Sequence, residues 1–301
     1  MTVMLILMNF LDDLDAMTTE RLVQCGYCKD LQDTAFDHFV MLNTLTERTI
    51  PQIPYTVKFS THLLENAKYK LLRPVLDEIT RHLQSGKSLR PYLSRKAPEP
   101  RHKDDLLLSW GIHHLHLSSI RTKSAQGLVS RTRGQSDLLF LRIEGSTAYL
   151  IDIISHAENY LFVNPRLLEI VDKNWPELHI EAKQVTGNHF SPEQIKNLRV
   201  NGVNYIISVN GRNIMPKPVA SNSVPIEVQM QYRVLRDELK NVEADVRRRF
   251  YEYFPHRTFS VLNGPLIPEV KLVGIEDEYF VLKEMASGRL CHARRILTQM
   301  L

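Results

Sequence analysis

A histidine-rich stretch, SWGIHHLHLSS at positions 109–119, is the strongest candidate for chemistry in this chain. It holds three histidines, His113, His114 and His116, separated by large apolar residues. Histidine titrates near neutral pH, binds metals and transfers protons. Alternate side chains of a β-strand share a face, so His114 and His116 are predicted to lie about 7 Å apart on one face, together with Trp110. His113 is predicted to lie on the opposite face.

A further histidine, His156, closes the apolar stretch AYLIDIISH and is predicted to stand at a strand end. His114, His116 and His156 support three interpretations. In the first they are structural and hydrogen-bonded within a half-buried sheet. In the second they bind a metal, because His-x-His on a strand plus a distal histidine is a known ligand pattern, with Asp137 and Asp152 as the nearest carboxylates. Asp152 could also orient one of the histidines.

The third interpretation is metal-free cleavage of RNA, with histidines as acid and base at neutral pH. A base takes the proton of the ribose 2′-OH, the 2′-oxygen attacks the adjacent phosphate, and an acid protonates the leaving 5′-oxygen. Arginines hold the phosphate through paired hydrogen bonds. This interpretation assigns proton transfer to His114, His116 and His156 and requires no cofactor. The candidates for phosphate and RNA binding are Arg121, Arg131, Arg133 and Arg142.

Positive charge is concentrated around the histidine stretch. Residues 81–133 include eleven Lys or Arg against three Asp or Glu, whereas the whole chain of 301 residues has a formal net charge of +4. A basic segment in a near-neutral chain indicates an anionic partner such as RNA, although a solvated basic face is the commoner explanation. A non-catalytic protein that binds nucleic acid or another protein therefore stays open as an alternative to an enzyme.

Other classes of protein lack their expected motifs here. The sequence contains no Gly-rich phosphate loop, nucleophile elbow or H-E-x-x-H motif, which disfavours nucleotide-driven and protease mechanisms. Its three cysteines are too few for a disulfide scaffold, and CGYC at Cys25 and Cys28 has no second pair to complete a zinc site. The apolar first ten residues are about half a membrane span and lack a basic start, so a cytoplasmic location without membrane contact is expected.

The segments around the histidines predict an α+β fold. Helical patterns cover about residues 10–45 and 60–83, and Pro74 should kink the second helix or start a new one. Three strands follow, LLLSWGIHHLHL, SDLLFLRI and AYLIDIISH, and the turn EGST joins the last two as a hairpin. We therefore expect a small antiparallel sheet with packed helices. A second hairpin is predicted to turn at Asn210-Gly211.

The C-terminal region is predicted to contain two long helices, at about residues 226–253 and 279–301. Apolar residues of the first step by three and four positions, as in a coiled-coil seam, which suggests a homodimer through these helices. The seam residues are Val228, Tyr232, Leu235, Leu239, Val242 and Val246. Three domains are expected: an N-terminal helical region at 1–58, a helix-plus-sheet candidate catalytic domain at 59–180, and a C-terminal α/β region at 181–301.

A helix with a basic tail, LLRPVLDEITRHLQSGKSLRPYLSRK, precedes the strands WGIHHLHL, DLLFLRI and YLIDIISH. This order of elements resembles the RelE-type ribonuclease toxins. The block WGIHHLHL…LLF…YLIDI…H…NWPE also resembles a group of uncharacterised bacterial proteins. The resemblance covers about residues 71–177 and includes no diagnostic catalytic motif.

The resemblance to RelE-type toxins implies a ribonuclease that acts as a toxin or phage-defence effector. It also implies helices packed on an antiparallel sheet whose concave face carries basic and histidine residues. Arg142 on the second strand and His156 at the end of the third match that pattern, whereas His114 and His116 stand where arginine or lysine is expected. The chain is longer than such toxins, so its remaining regions could bind an antitoxin or another protein, dimerise or regulate.

Overall fold

The fold is α+β, as the sequence predicts, and the computed structural model describes residues 5–117, 137–255 and 267–295. The α-helices are α1 (Phe10–Gln24), α2 (Ala35–Glu47), α3 (Thr61–Glu65), α4 (Ala67–Leu71), α5 (Arg73–Gln84), α6 (Asp105–Trp110), α7 (Arg166–Asn174), α8 (Pro192–Val200), α9 (Ile226–Arg248) and α10 (Phe250–Tyr253). The strands are β1 (Thr56–Phe59), β2 (Ile112–Leu117), β3 (Asp137–Glu144), β4 (Thr147–Ser155), β5 (Ile180–Glu181), β6 (Ile207–Val209), β7 (Arg212–Met215), β8 (Val270–Ile275), β9 (Tyr279–Glu284) and β10 (Leu290–Arg294).

The chain divides into two compact units. The central unit is Asn43–Ile226, and the terminal unit combines Met1–Leu42 with Glu227–Leu301. The central unit contains the whole predicted catalytic segment, residues 59–180. The terminal unit contains both α1 and the C-terminal strands. The sequence instead predicts domain boundaries after residues 58 and 180.

A four-stranded sheet forms the middle of the central unit, with strand order β1-β4-β3-β2. The predicted hairpin is present: β3 and β4 pair antiparallel, and Gly145 in the turn has φ = 54°, which residues with a Cβ rarely adopt. β2 also pairs antiparallel with β3. β1 pairs with β4 in parallel, so the sheet is mixed rather than purely antiparallel as expected.

Both faces of this sheet are covered. On one face Leu139 and Leu150 pack with Ile79 of α5. On the other face Phe140 and Ile154 pack in a cluster that also contains residues of α7. Apolar side chains therefore cover much of both faces of the sheet.

The first predicted strand begins as a helix, which corrects the prediction for Trp110. Residues 105–110 form α6 because the side chain of Asp104 accepts a hydrogen bond from the backbone N–H of Leu107 at 3.1 Å. Gly111 ends the helix with φ = 66°, and β2 starts at the next residue. Trp110 therefore does not share the strand face of His114.

The long helical segments predicted near the N-terminus are broken into shorter helices. Gly26, with φ = 91°, lies between α1 and α2. Residues 60–84 form three helices, with Asn66 ending α3 and capping α4, and with Pro74 in the first turn of α5. Across the described ranges, no helix has the length and apolar character needed to cross a membrane.

The terminal unit contradicts the prediction of a second C-terminal helix. Residues 279–284 and 290–294 are β9 and β10, which form an antiparallel sheet with β8. Phe280 and Leu282 are buried and their neighbours are more exposed, a period of two that fits a strand rather than a helix. Gly288, with φ = 70°, allows the turn between β9 and β10.

The seam of α9 is buried within its own chain. Leu239 and Val246 pack with Phe280 and Leu282 of β9, and Tyr232 contacts the ring of Phe36. The expected homodimer through two C-terminal helices loses this support, because residues 279–294 form strands and the seam of α9 is covered within the chain.

Candidate functional site

The structure brings the three predicted catalytic histidines together on one face of the sheet. On β2, His114 lies opposite Phe140 and His116 lies opposite Leu138. The ring centroids of His114 and His116 are 5.7 Å apart. The ring of His156, which follows β4, stacks on His116 with centroids 5.8 Å apart and an angle of 26° between the planes.

The three rings differ in their access to solvent. His116 is buried, with 5% of its surface exposed, and the side chain of His114 is 14% exposed. Phe162 packs edge-on against His114 and also contacts His156. His156 itself is exposed. Of the three, His156 is therefore the one that a large substrate can reach directly.

A carboxylate lies beside His114. The Nδ1 atom of His114 is 3.4 Å from Oδ2 of Asp104, whose other oxygen caps α6. Both side chains are largely buried, which strengthens their electrostatic interaction. Asp104 thus fixes the start of α6 and favours one orientation of the His114 ring.

A small cavity adjoins Asp104 and His114. Its lining includes Arg48, His102, Asp104, His113 and His114. Burial lowers the pKa of His113 to about 4, so this ring is neutral at pH 7. The guanidinium of Arg48 donates hydrogen bonds to the backbone carbonyls of Glu99 and His102 at 2.7 and 2.6 Å. These contacts hold the loop before α6 in place.

Arg142 is not assembled with His116 and His156. It lies opposite Ile112, four residues along β3 from Leu138, which corresponds to about 13 Å of strand. Its guanidinium donates to the carbonyl of Trp110 and to Glu144 at 3.4 and 3.0 Å. These contacts lie away from His116 and His156. The other predicted phosphate ligands, Arg121, Arg131 and Arg133, lie outside the described residues.

One end of the sheet carries His62, Lys68, Asp137 and His156, and we call it the rim. β1, β2 and β4 run in the same direction, so their carboxyl ends lie at the rim, where β3 begins. His62 follows β1 by a few residues, and His156 directly follows β4. Lys68 of α4 and Asp137, the first residue of β3, form an ion pair of 2.6 Å there.

A buried carboxylate lies near the rim on β4. Asp152 has no exposed surface, and a buried charge needs close partners. Oδ1 accepts a hydrogen bond from the side-chain amide of Asn66 at 2.7 Å, and Oδ2 accepts one from Nη2 of Arg166 at 3.0 Å. Nε2 of His62 lies 3.5 Å from Oδ2 and 3.1 Å from Nη2 of Arg166.

The sequence indicates Asp152 as a residue that could orient a histidine, but it does not indicate which one. The structure places Asp152 against His62 rather than against the strand histidines. His62 lies far from the histidine-rich stretch in sequence, and its placement depends on the parallel pairing of β1 with β4. A local pattern does not reveal such a pairing.

Metal ligation is not apparent in the described part of the chain, where no group of three or more His, Cys, Asp or Glu side chains is arranged to hold an ion.

No protein-family model, curated protein or solved structure matches this chain. The resemblance to RelE-type toxins therefore stays a prediction from the sequence.

Proposed function

We propose that the protein is a metal-independent endoribonuclease that acts at the rim. The observation that carries the proposal is the stacked pair of His116 and His156, with a buried ring behind an exposed one at the carboxyl ends of the strands. The exposed ring can exchange protons with a substrate, and the buried ring holds it in position. Histidine is suited to such transfer at neutral pH.

The proposed reaction is a transesterification that releases the 5′-hydroxyl of the next nucleotide. The 2′-OH of one ribose loses its proton to a base, and its oxygen forms a bond to phosphorus. The bond from phosphorus to the 5′-oxygen of the next nucleotide breaks, and an acid protonates that oxygen. The products are a 2′,3′-cyclic phosphate and a 5′-hydroxyl, and no oxidant or metal is consumed. We assign His156 as the base.

The positive charge of the segment that joins β2 to β3 in sequence supports an RNA substrate. Leu117 and Asp137 are paired at the end of β2 and the start of β3. The chain between them carries Arg121, Lys123, Arg131 and Arg133 and includes no acidic residue. Charges of this sign attract the phosphate backbone and release its counterions.

The first test is incubation of the full-length protein with end-labelled RNA, with and without EDTA. We expect cleavage that resists EDTA and leaves a cyclic phosphate. Replacement His156→Ala should lower kcat by at least about 100-fold, because general base catalysis contributes about that much. The matched control is His189→Ala, which removes an exposed histidine away from the rim.

Two results would overturn the proposal. Cleavage abolished by EDTA and restored by zinc or manganese would indicate a metal enzyme built on His114, His116 and His156. RNA binding without any cleavage would indicate a non-catalytic RNA-binding protein.

A toxin or phage-defence role is a further part of the proposal, supported by the sequence resemblance alone. Induced expression in bacteria should arrest growth, and the His156→Ala protein at equal abundance should not. Equal arrest by both proteins would contradict this role.

A further inference from the structure

RNA cleavage needs an acid as well as a base, and the strand histidines offer one accessible ring. His114 and His116 are largely enclosed, whereas the side chain of His62 is 44% exposed. We infer that His62 is the general acid that protonates the leaving 5′-oxygen, with Asp152 as its positioning residue and Arg166 as the ligand of the scissile phosphate. This inference rests on the proposed ribonuclease activity.

The topology places His62 at the same end of the sheet as His156. β1 and β4 are adjacent and parallel, and the two histidines follow their carboxyl ends. Two exposed imidazoles at neighbouring strand ends can flank one phosphodiester, as acid and base must. No other described histidine combines exposure with a buried carboxylate partner at the rim.

Asp152 can hold the His62 ring in one orientation. Its carboxylate is fully buried, and Asn66 donates to Oδ1, so that oxygen is fixed. The other oxygen, Oδ2, faces both His62 and Arg166. A buried carboxylate of this kind can orient an imidazole.

Arg166 connects His62 with Asp152. Its Nη2 atom donates a hydrogen bond to Oδ2 of Asp152 at 3.0 Å and lies at hydrogen-bond distance, 3.1 Å, from Nε2 of His62. Arginine can only donate, so Nε2 of His62 is the acceptor in this contact. The guanidinium is 40% exposed, so a phosphodiester can reach it.

The groups that face His62 come from two elements. Asp152 belongs to β4, and Arg166 belongs to α7. The neighbouring charges of Lys68 and Asp137 are paired with each other. Among the described residues, Asp152 and Arg166 are thus the charged groups in direct contact with His62.

The test uses a chimeric oligonucleotide with one ribonucleotide, of a type that the wild-type protein cleaves. Its scissile linkage carries either the normal 5′-oxygen or a bridging 5′-sulfur, which leaves without needing a proton. His62→Ala should cleave the oxygen substrate at least about 100-fold more slowly than wild type and the sulfur substrate at a near wild-type rate. His156→Ala should be slow on both, because the base is still required.

Two further variants separate the other roles. Asp152→Asn should be slow on the oxygen substrate and rescued by sulfur, whereas a merely structural role would slow both substrates equally. Arg166→Ala should raise KM for both substrates. Circular dichroism of each variant identifies loss of folding, and His62→Gln provides a second, less disruptive replacement of an exposed side chain.

The outcomes distinguish this inference from the proposed function. If His62→Ala cleaves the oxygen substrate like wild type, or is equally slow on both substrates, the assignment of His62 as the acid is overturned and the ribonuclease proposal stands. If the wild-type protein cleaves neither substrate nor any other RNA, the proposed function itself fails.

Discussion

At the scale of single residues, two histidines outside the rim are expected to make stability depend on pH. Burial lowers the pKa of both His113 and His179 from 6.5 to about 4. The unfolded chain therefore binds more protons than the folded chain between these values, and stability falls as pH drops from 6.5 towards 4. Each ring should contribute a loss of about 2 kcal/mol by pH 4.5.

This pH dependence can be measured by urea unfolding at several pH values. His113→Gln and His179→Gln should each reduce the slope of unfolding free energy against pH below 6.5. His189→Gln, at an exposed position, is the control for replacing a histidine as such. A wild-type slope retained in both buried variants would contradict the assignment.

The candidate site was partly predictable at this scale. Alternation along a strand placed His114 and His116 on one face, and the end of an apolar run placed His156 nearby. The position of Arg142 relative to the histidines was not predictable, because residue type alone does not show which end of a strand lies at the rim. Its guanidinium is instead engaged by Trp110 and Glu144.

At the scale of elements, the short helix α6 depends on its N-terminal cap. Asp104 accepts from the backbone of Leu107, and its second oxygen faces His114. Asp104→Ala should lower the free energy of unfolding by about 1 kcal/mol, because it removes the cap. Asp104→Asn keeps a capping oxygen and should cost clearly less. Thermal or urea unfolding measures both, and equal losses would show that the carboxylate charge matters more than the cap.

The sequence predicts the β3–β4 hairpin but not the strands of residues 279–294. The β3–β4 hairpin was predictable because two apolar runs flank a short glycine-containing turn. The sequence predicts a helix over residues 279–301, whereas Phe280 and Leu282 are buried with a period of two in β9. Packing of these side chains against α9 decides their conformation, and such a distant contact has no local signal.

At the scale of the whole molecule, the uneven charge should govern RNA binding. Replacing Arg121, Arg131 and Arg133 with alanine should weaken binding and lower the slope of log affinity against log salt by about 2, as expected for three lost phosphate contacts on a single strand. The matched control replaces three exposed cations elsewhere, Arg21, Arg233 and Lys240. An unchanged slope in the first variant would show that RNA binds through another surface.

The parallel pairing of β1 with β4 also has a consequence for the order of folding. The hairpin of β3 and β4 closes over a two-residue turn, whereas Asn66 and Asp152 are 86 positions apart in the chain. Closing the longer loop costs more entropy, so we expect β1 to join a hairpin that already exists. A nascent or partly unfolded chain would then carry His156 while His62 is not yet positioned beside Asp152. Cleavage would begin only when β1 has paired with β4.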